Sequence, residues 1–141
     1  MMVKSAYCVL IAFMVLIMVS CNKEDDHPVP YVRVDLEINV IHYNLSNPGM
    51  SAQFEGHGYR GIFVYRVSMD EFRAYDRACT YSPHTCTLNI SEDNAVLVGA
   101  ECSESVYSLL DGYPLEGPAN YPLREYRTYF NSVSNRLTIR N

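Results

Sequence analysis

A small antiparallel β-sandwich or barrel is the fold class that residues 31–141 predict. Three observations point to it. Short alternating or apolar segments recur at close spacing, separated by polar turns. Eleven of the chain's twelve tyrosines lie in this stretch, and tyrosine favours pleated, half-buried surfaces. No window of a dozen residues outside the first twenty sustains a helical period. Many short strands with no helix to pack on them imply sheet on sheet, and the length suits one small domain.

The elements follow in order. Val32, Val34, Leu36, Ile38 and Val40 alternate with Arg33, Asp35, Glu37 and Asn39, the period of a half-buried strand. Residues 61–67 form a denser apolar run, a strand buried more deeply. Residues 69–71 (Met-Asp-Glu) turn into a segment carrying Phe72, Ala74 and Tyr75. Residues 87–90 and 95–98 flank the polar residues 91–94, the pattern of a hairpin. Residues 107–110 run into the turn dipeptide Asp111-Gly112. Residues 124–130 and 136–140 flank residues 131–135, a second hairpin. No repeat or low-complexity segment interrupts the pattern.

The first thirty residues predict a compartment rather than a fold. Lys4 precedes an apolar run over residues 9–19, too short for a comfortable membrane span, and the run ends at Met18-Val19-Ser20-Cys21. A charged start, a short apolar core and small residues before a cleavage point describe a secretory signal. With cysteine next, the segment resembles the lipobox of bacterial lipoproteins. That resemblance implies removal of residues 1–20 and lipidation of Cys21 by palmitate-like chains. Several chains on one cysteine anchor stably, at about 0.8 kcal/mol per buried CH₂. An ordinary signal peptide or a single membrane anchor is the plainer alternative. Residues 21–30 then read as a lipidated cysteine and a polar, proline-punctuated tether, and residues 31–141 as the domain. Acidic residues just after a lipobox resemble a surface-export signal of gram-negative lipoproteins, which implies a lipid-anchored place in the cell envelope, at the outer membrane. A solvated spacer is the other reading. Nothing after residue 30 is apolar for long enough to span a bilayer.

Eleven Lys and Arg stand against sixteen Asp and Glu, a net charge of −5; without Lys4 the balance is −6. No basic cluster rises above the background, which speaks against nucleic acid as a partner. No Ser–His–Asp, zincin, P-loop or dinucleotide motif is present, so a non-enzymatic role is expected.

One region carries a more specific signal. Residues 61–66 (GIFVYR), a turn and residues 72–77 (FRAYDR) lead to Cys79-Thr80-Tyr81. Further on, Ser105-Val106-Tyr107 is followed by Asp111-Gly112, Gly117-Pro118-Ala119 and Pro122-Leu123. In order, spacing and flanks, residues 60–140 resemble the Rieske iron–sulfur domain family. That family holds a two-iron, two-sulfur cluster between Cys-x-His and Cys-x-x-His loops. The resemblance implies a Rieske-like β domain, and it places the ligand positions. Tyr81 stands where the first histidine belongs, beside Cys79. Anchoring the second loop on Ser105-Val106-Tyr107 puts Ala100 at the ligand cysteine and Ser103 at the ligand histidine. The other register makes Cys102 the ligand and Ser105 the missing histidine. Neither provides an imidazole for the second iron, so no normal cluster is expected.

After cleavage Cys79, Cys86 and Cys102 remain. An oxidising compartment makes a disulfide the default. In the family the partner of Cys102 comes from the position of His84. Cys86 lies two residues on, which favours Cys86–Cys102, with Cys79–Cys102 as the rival pairing. The alternative is a metal set of Cys79, His84, Cys86 and Cys102, three thiolates and an imidazole, suited to zinc or, as a residual electron-transfer site, to iron or 2Fe-2S. Glu101 and Glu104 offer acid–base chemistry or plain solvated charge, and His57 a ligand or a loop histidine. Tyr81, Tyr107, Tyr113 and Tyr121 are candidates for a contact surface at the loop tip, or for filling the space a cluster would take.

Overall fold

In the computed structural model of the chain, the structure describes residues 26–92 and 96–141. Residues 1–20, read above as a signal segment, and Cys21 lie outside the described residues. Among the described residues ten strands and no helix form. β1 (Asp35–Asn39), β10 (Arg136–Arg140), β9 (Glu125–Asn131), β4 (Phe72–Asp76), β3 (Ile62–Arg66) and β2 (Ser51–Phe54) make one sheet in that order. β5 (Asn89–Ile90), β6 (Leu97–Gly99), β7 (Val106–Ser108) and β8 (Pro114–Glu116) make the other. Neighbouring strands run antiparallel, and the larger sheet forms a half-barrel whose end strands β1 and β2 do not pair with each other.

β3 and β4 hold the molecule together because both of their faces are covered. Successive side chains of a strand point to opposite faces. Ile62, Val64, Phe72 and Ala74 therefore enter a first core with Val34, Ile38, Leu45, Leu137 and Ile139. Phe63, Tyr65 and Tyr75 enter a second core, shared with Leu88, Val98, Tyr107, Leu109 and Leu123 beneath the small sheet. A strand buried on both faces reads as a continuous apolar run rather than an alternation, which is the signal in residues 61–67. β1 keeps its alternation because only one face is covered: Ile38 is buried while Asp35 and Glu37 are exposed.

Arg66 ends β3 with its charge inside. Its guanidinium donates to the carbonyls of Leu45 and Ser46, each at 2.8 Å, to Ser68 at 3.1 Å and to Met69. The ring of Phe72 lies 4.9 Å from the guanidinium carbon. The tether of the sequence reading is shorter than expected. Val29 is fully buried, Arg124 donates to its carbonyl at 2.8 Å, and His27 packs edge-on against Tyr121 at 6.4 Å.

Three phenols in or against these cores titrate late. Burial, with the Cys79 hydrogen bond behind it, pushes Tyr107 up to about 12. Burial also raises Tyr75, and burial with the hydrogen bond to Asp76 raises Tyr126. In the unfolded chain such phenols ionise near 10. A raised folded value favours the protonated phenol, so its contribution is complete below pH 10 and is lost as pH climbs toward 12. The melting temperature is expected to fall steeply across that window, with tyrosinate absorbance from these residues appearing only as the protein unfolds. Full tyrosinate absorbance from an intact fold would contradict the placement.

Candidate functional site: a loop tip closed by a disulfide

Three loops meet at one end of the small sheet. The first, residues 79–88, leaves β4 and opens with the bridge Ala78↔Thr87. The Cys79 amide donates to the Cys86 carbonyl at 3.1 Å, and the Cys86 amide turns back onto Ser82 at 3.0 Å. Arg60 fastens this loop from outside. Its Nε donates to the Pro83 carbonyl at 2.8 Å, and its other nitrogens reach the His84 carbonyl and the Thr87 hydroxyl. The second loop, residues 100–105, joins β6 to β7. The third, residues 117–124, returns from β8 to β9.

Each loop is tied to another. Cys86 and Cys102 are joined by a disulfide, with Cα atoms 5.8 Å apart, linking first and second loops. Thr80 donates from its hydroxyl to the Tyr121 carbonyl at 2.8 Å, linking first and third. Gly117, at φ +85°, lets the third loop lie on the second. A Cβ there would come within 2.3 Å of the Glu104 carbonyl oxygen and 2.6 Å of the Ser105 Cα, so no other residue fits.

Tyr107 rises through the middle. It is fully buried, and its hydroxyl meets the Thr80 amide at 3.1 Å, the Thr80 hydroxyl at 2.9 Å and the Cys79 sulfur at 3.4 Å. Cys79 is a free thiol with no exposed surface. Burial acts to raise its pKa. Hydrogen bonds from the Ser103 and Tyr107 hydroxyls and the Ser82 and Tyr81 amides outweigh burial and hold it below its usual value. The chain has built a cradle for one sulfur.

That cradle does not extend to a cluster. A Rieske centre needs two thiolates on one iron and two imidazoles on the other. Of the positions that the sequence resemblance assigns to ligands in its first register, Cys79 alone brings a donor of the required kind. Tyr81 points outward, 58% exposed; Ala100 has no donor; and the Ser103 hydroxyl serves Cys79 and the Ser105 amide, the latter at 3.2 Å. In the other register Cys102 is spent in the disulfide. The donor set present does not fit the cluster.

The alternative zinc set of Cys79, His84, Cys86 and Cys102 is not assembled either. Two of its sulfurs are bonded to each other, and a disulfide sulfur is not a thiolate donor. His84 is exposed, its Nδ1 2.7 Å from the Tyr59 hydroxyl. Among the described residues no three His, Cys, Asp or Glu side chains gather in a metal-binding group. Glu101, Glu104 and His57 are exposed.

The tyrosines divide. Tyr107 fills the interior rather than forming a surface. Tyr113 sits in the turn at the far end of the β7–β8 hairpin, where the Leu123 amide of the third loop donates to the Gly112 carbonyl at 2.8 Å. Tyr81 and Tyr121 remain exposed at the tip, at 58% and 47%. Sequence reasoning missed Asp76, whose carboxylate accepts hydrogen bonds from the Tyr59, Arg60 and Ala78 amides and the Tyr126 hydroxyl. An acidic residue directly after the apolar Phe72, Ala74 and Tyr75 was the available signal.

No protein-family model and no curated protein matches the chain. Among solved structures, a chain of the complex of reduced oxygenase and oxidized ferredoxin in carbazole 1,9a-dioxygenase superposes with a TM-score of 0.54 at 17% identity. The match covers 77% of this chain and 94% of that one. The ferredoxin of carbazole 1,9a-dioxygenase from Nocardioides aromaticivorans IC177 gives 0.48 at 15% identity, over 77% and 94%. A nitrite reductase small subunit from Mycobacterium tuberculosis, described as putative and NADH-dependent, gives 0.47 at 14%, over 79% and 97%. At such identities the first of these likenesses speaks to architecture alone, and with the loop order described above it makes the fold of this chain Rieske-like.

Proposed function

We propose that this chain is a lipid-anchored envelope protein whose Rieske-like domain has given up its cluster and serves as a non-enzymatic interaction module. One observation carries the reading. The two loops that would grip a cluster are joined by Cys86–Cys102, while three of the four ligand positions hold Tyr81, Ala100 and Ser103. The bridge does mechanically what iron would otherwise do: it fixes the separation of two loops.

The exposed Tyr81 and Tyr121 then provide the contact surface, since tyrosine offers large contact area at low entropy cost. The placement of His27 against Tyr121 bears on orientation. Cys21 precedes His27 by six residues, at most about 20 Å of extended chain. An anchor at Cys21 would hold the tip near the membrane surface, where the partner would be another envelope protein.

The test starts from protein purified from the envelope. Metal content, visible absorption and intact mass after alkylation under denaturing conditions are measured on one sample. The expected result is colourless, metal-free protein with one alkylated thiol and the mass of lipid on Cys21. Stoichiometric iron with visible absorption, or three alkylated thiols carrying zinc, would establish a redox or metal protein instead. A photo-crosslinker at Tyr81 or Tyr121 is expected to trap a partner that one at Tyr129, exposed on the large sheet, does not.

A further inference from the structure

The outer face of the small sheet carries a trough of about 890 Å³. Its floor is set by strand register. Gly99 pairs with Val106 and Val106 with Glu116. Leu97, two residues from Gly99, shares the same face, while Val98 between them is buried in the second core. Gly99 makes the depression: with no side chain at the centre of the face, Leu97 and Val106 flank a gap. A Cβ added there would meet only the Ser105 carbonyl oxygen at 3.5 Å and Val106 at 3.7 Å, ordinary contact distances, so the space is open.

Among the described residues the rim has one sign of charge: Glu92, Glu101 and Glu116 line the trough, and no Lys or Arg does. Elsewhere on the domain five acidic side chains are matched, while Asp70, Glu104 and Asp111 have no ion pair among the described residues. Glu71 and Glu125 meet Arg73, Glu55 meets Arg77, Glu37 meets Arg136 and Asp35 meets Arg140. None of the three rim carboxylates has such a partner among the described residues. Like charges around an apolar floor focus a negative potential into it. An acidic ligand is repelled. A purely apolar segment would satisfy the floor and leave the rim unmatched.

We propose that this trough docks an extended, cationic segment of a partner protein, with Arg or Lys side chains reaching the rim and small apolar side chains lying on Leu97 and Val106. The alternation suits an extended peptide, whose neighbouring side chains point opposite ways. The trough runs from the sheet face to the tip loops at Thr87 and at Ala100, Glu101 and Cys102, but Tyr81 and Tyr121 do not line it, so this inference does not rest on their role as a contact surface.

The probe is a fluorescein-labelled, amidated heptapeptide alternating arginine with valine, titrated with the whole chain in detergent micelles and followed by anisotropy. Saturable binding is expected. It should weaken at least tenfold in the triple variant Glu92→Gln, Glu101→Gln, Glu116→Gln, whose side chains are exposed and leave the fold intact. It should weaken by a similar factor in Gly99→Leu, which raises a side chain from the centre of the floor and keeps every charge. Wild-type affinity in Gly99→Leu would overturn the proposal, because the peptide would then be gathering on acidic surface at large. Equal binding of a peptide with glutamate in place of arginine would overturn it in favour of an apolar site. Concentration-dependent self-association in sedimentation, abolished by Gly99→Leu, would give the trough to a second copy of this chain. Absence of saturable binding would also overturn it.

Discussion

Replacing Asp76 with alanine is expected to cost about 4 kcal/mol, toward the extreme of what single substitutions do. The carboxylate has no exposed surface. Oδ1 accepts from the Ala78 amide at 2.8 Å and the Arg60 amide at 3.2 Å. Oδ2 accepts from the Tyr59 amide at 2.6 Å and the Tyr126 hydroxyl at 2.7 Å. Hydrogen bonds to a charged group are worth about 1.5–3 kcal/mol each. Removing the acceptor leaves four donors without their partner, and only part of that loss is offset by no longer burying the acid. Asparagine keeps the shape but, in either orientation, turns its amide NH₂ toward one of the two donor pairs, so it should recover less than half of the loss. Urea unfolding of both variants checks this. A loss below 1 kcal/mol for the alanine variant would mean that water replaces the carboxylate with ease.

The consequence would reach the loop tip. Asp76 fixes Tyr59 and Arg60 where they meet the end of β4, and Arg60 in turn holds the Pro83 and His84 carbonyls and the Thr87 hydroxyl. Gly58 shows how closely this corner is built. At φ +66°, a Cβ there would lie 2.6 Å from the Asp76 carboxylate and 2.8 Å from the Tyr126 hydroxyl. Exposure of the first loop, read by hydrogen exchange at residues 79–87, should therefore rise in the Asp76 variants before the large sheet opens.

Much of this architecture was legible, and the exceptions share a cause. β1, β3 and the β9–β10 hairpin were visible because burial on one or both faces writes itself into residue polarity. β2 was missed: Ser51-Ala52-Gln53-Phe54 buries only Phe54 fully, and its strand character comes from pairing with β3. β8 was missed for the same reason. Pro114 opens it, Leu115 and Glu116 are exposed, and β7 supplies its partner. Backbone pairing leaves no mark on side-chain pattern, so strands held mainly by pairing are silent in sequence. The resemblance in residues 60–140 located the loops and favoured the pair that the structure joins. It could not place Tyr107 inside or Tyr113 at the far end of its hairpin, since spacing says nothing of which way a ring turns. The trough was equally hidden: Gly99 reads as one more strand residue until its neighbours are in register.

Opening the Cys86–Cys102 bridge, by Cys102→Ala or by reductant, is expected to cost about 3 kcal/mol. The two residues are 16 apart, and closing a loop of about that length removes roughly 3 kcal/mol of entropy from the unfolded chain. For a domain of this size that corresponds to a fall of about 10 °C in melting temperature. The protein should nevertheless still fold. The first core, around Ile38, Val64, Leu137 and Ile139, contains no cysteine, and the Tyr107 hydroxyl and Gly117 still tie the loops. Two features separate this expectation from generic damage. The Ala variant and the reduced wild type should lose similar stability. Protection in hydrogen exchange should fall in β5–β8 and not in β1, β9 and β10. An unchanged melting temperature on reduction would show that the Tyr107 contacts alone set the loops. The mechanical role proposed for the bridge would then fail, and with it the main reason for regarding the tip as a rigid contact surface rather than a relic. A fall confined to the small sheet would mean that the bridge sets the geometry at which Tyr81 and Tyr121 meet a partner, and that this geometry survives only in an oxidising compartment.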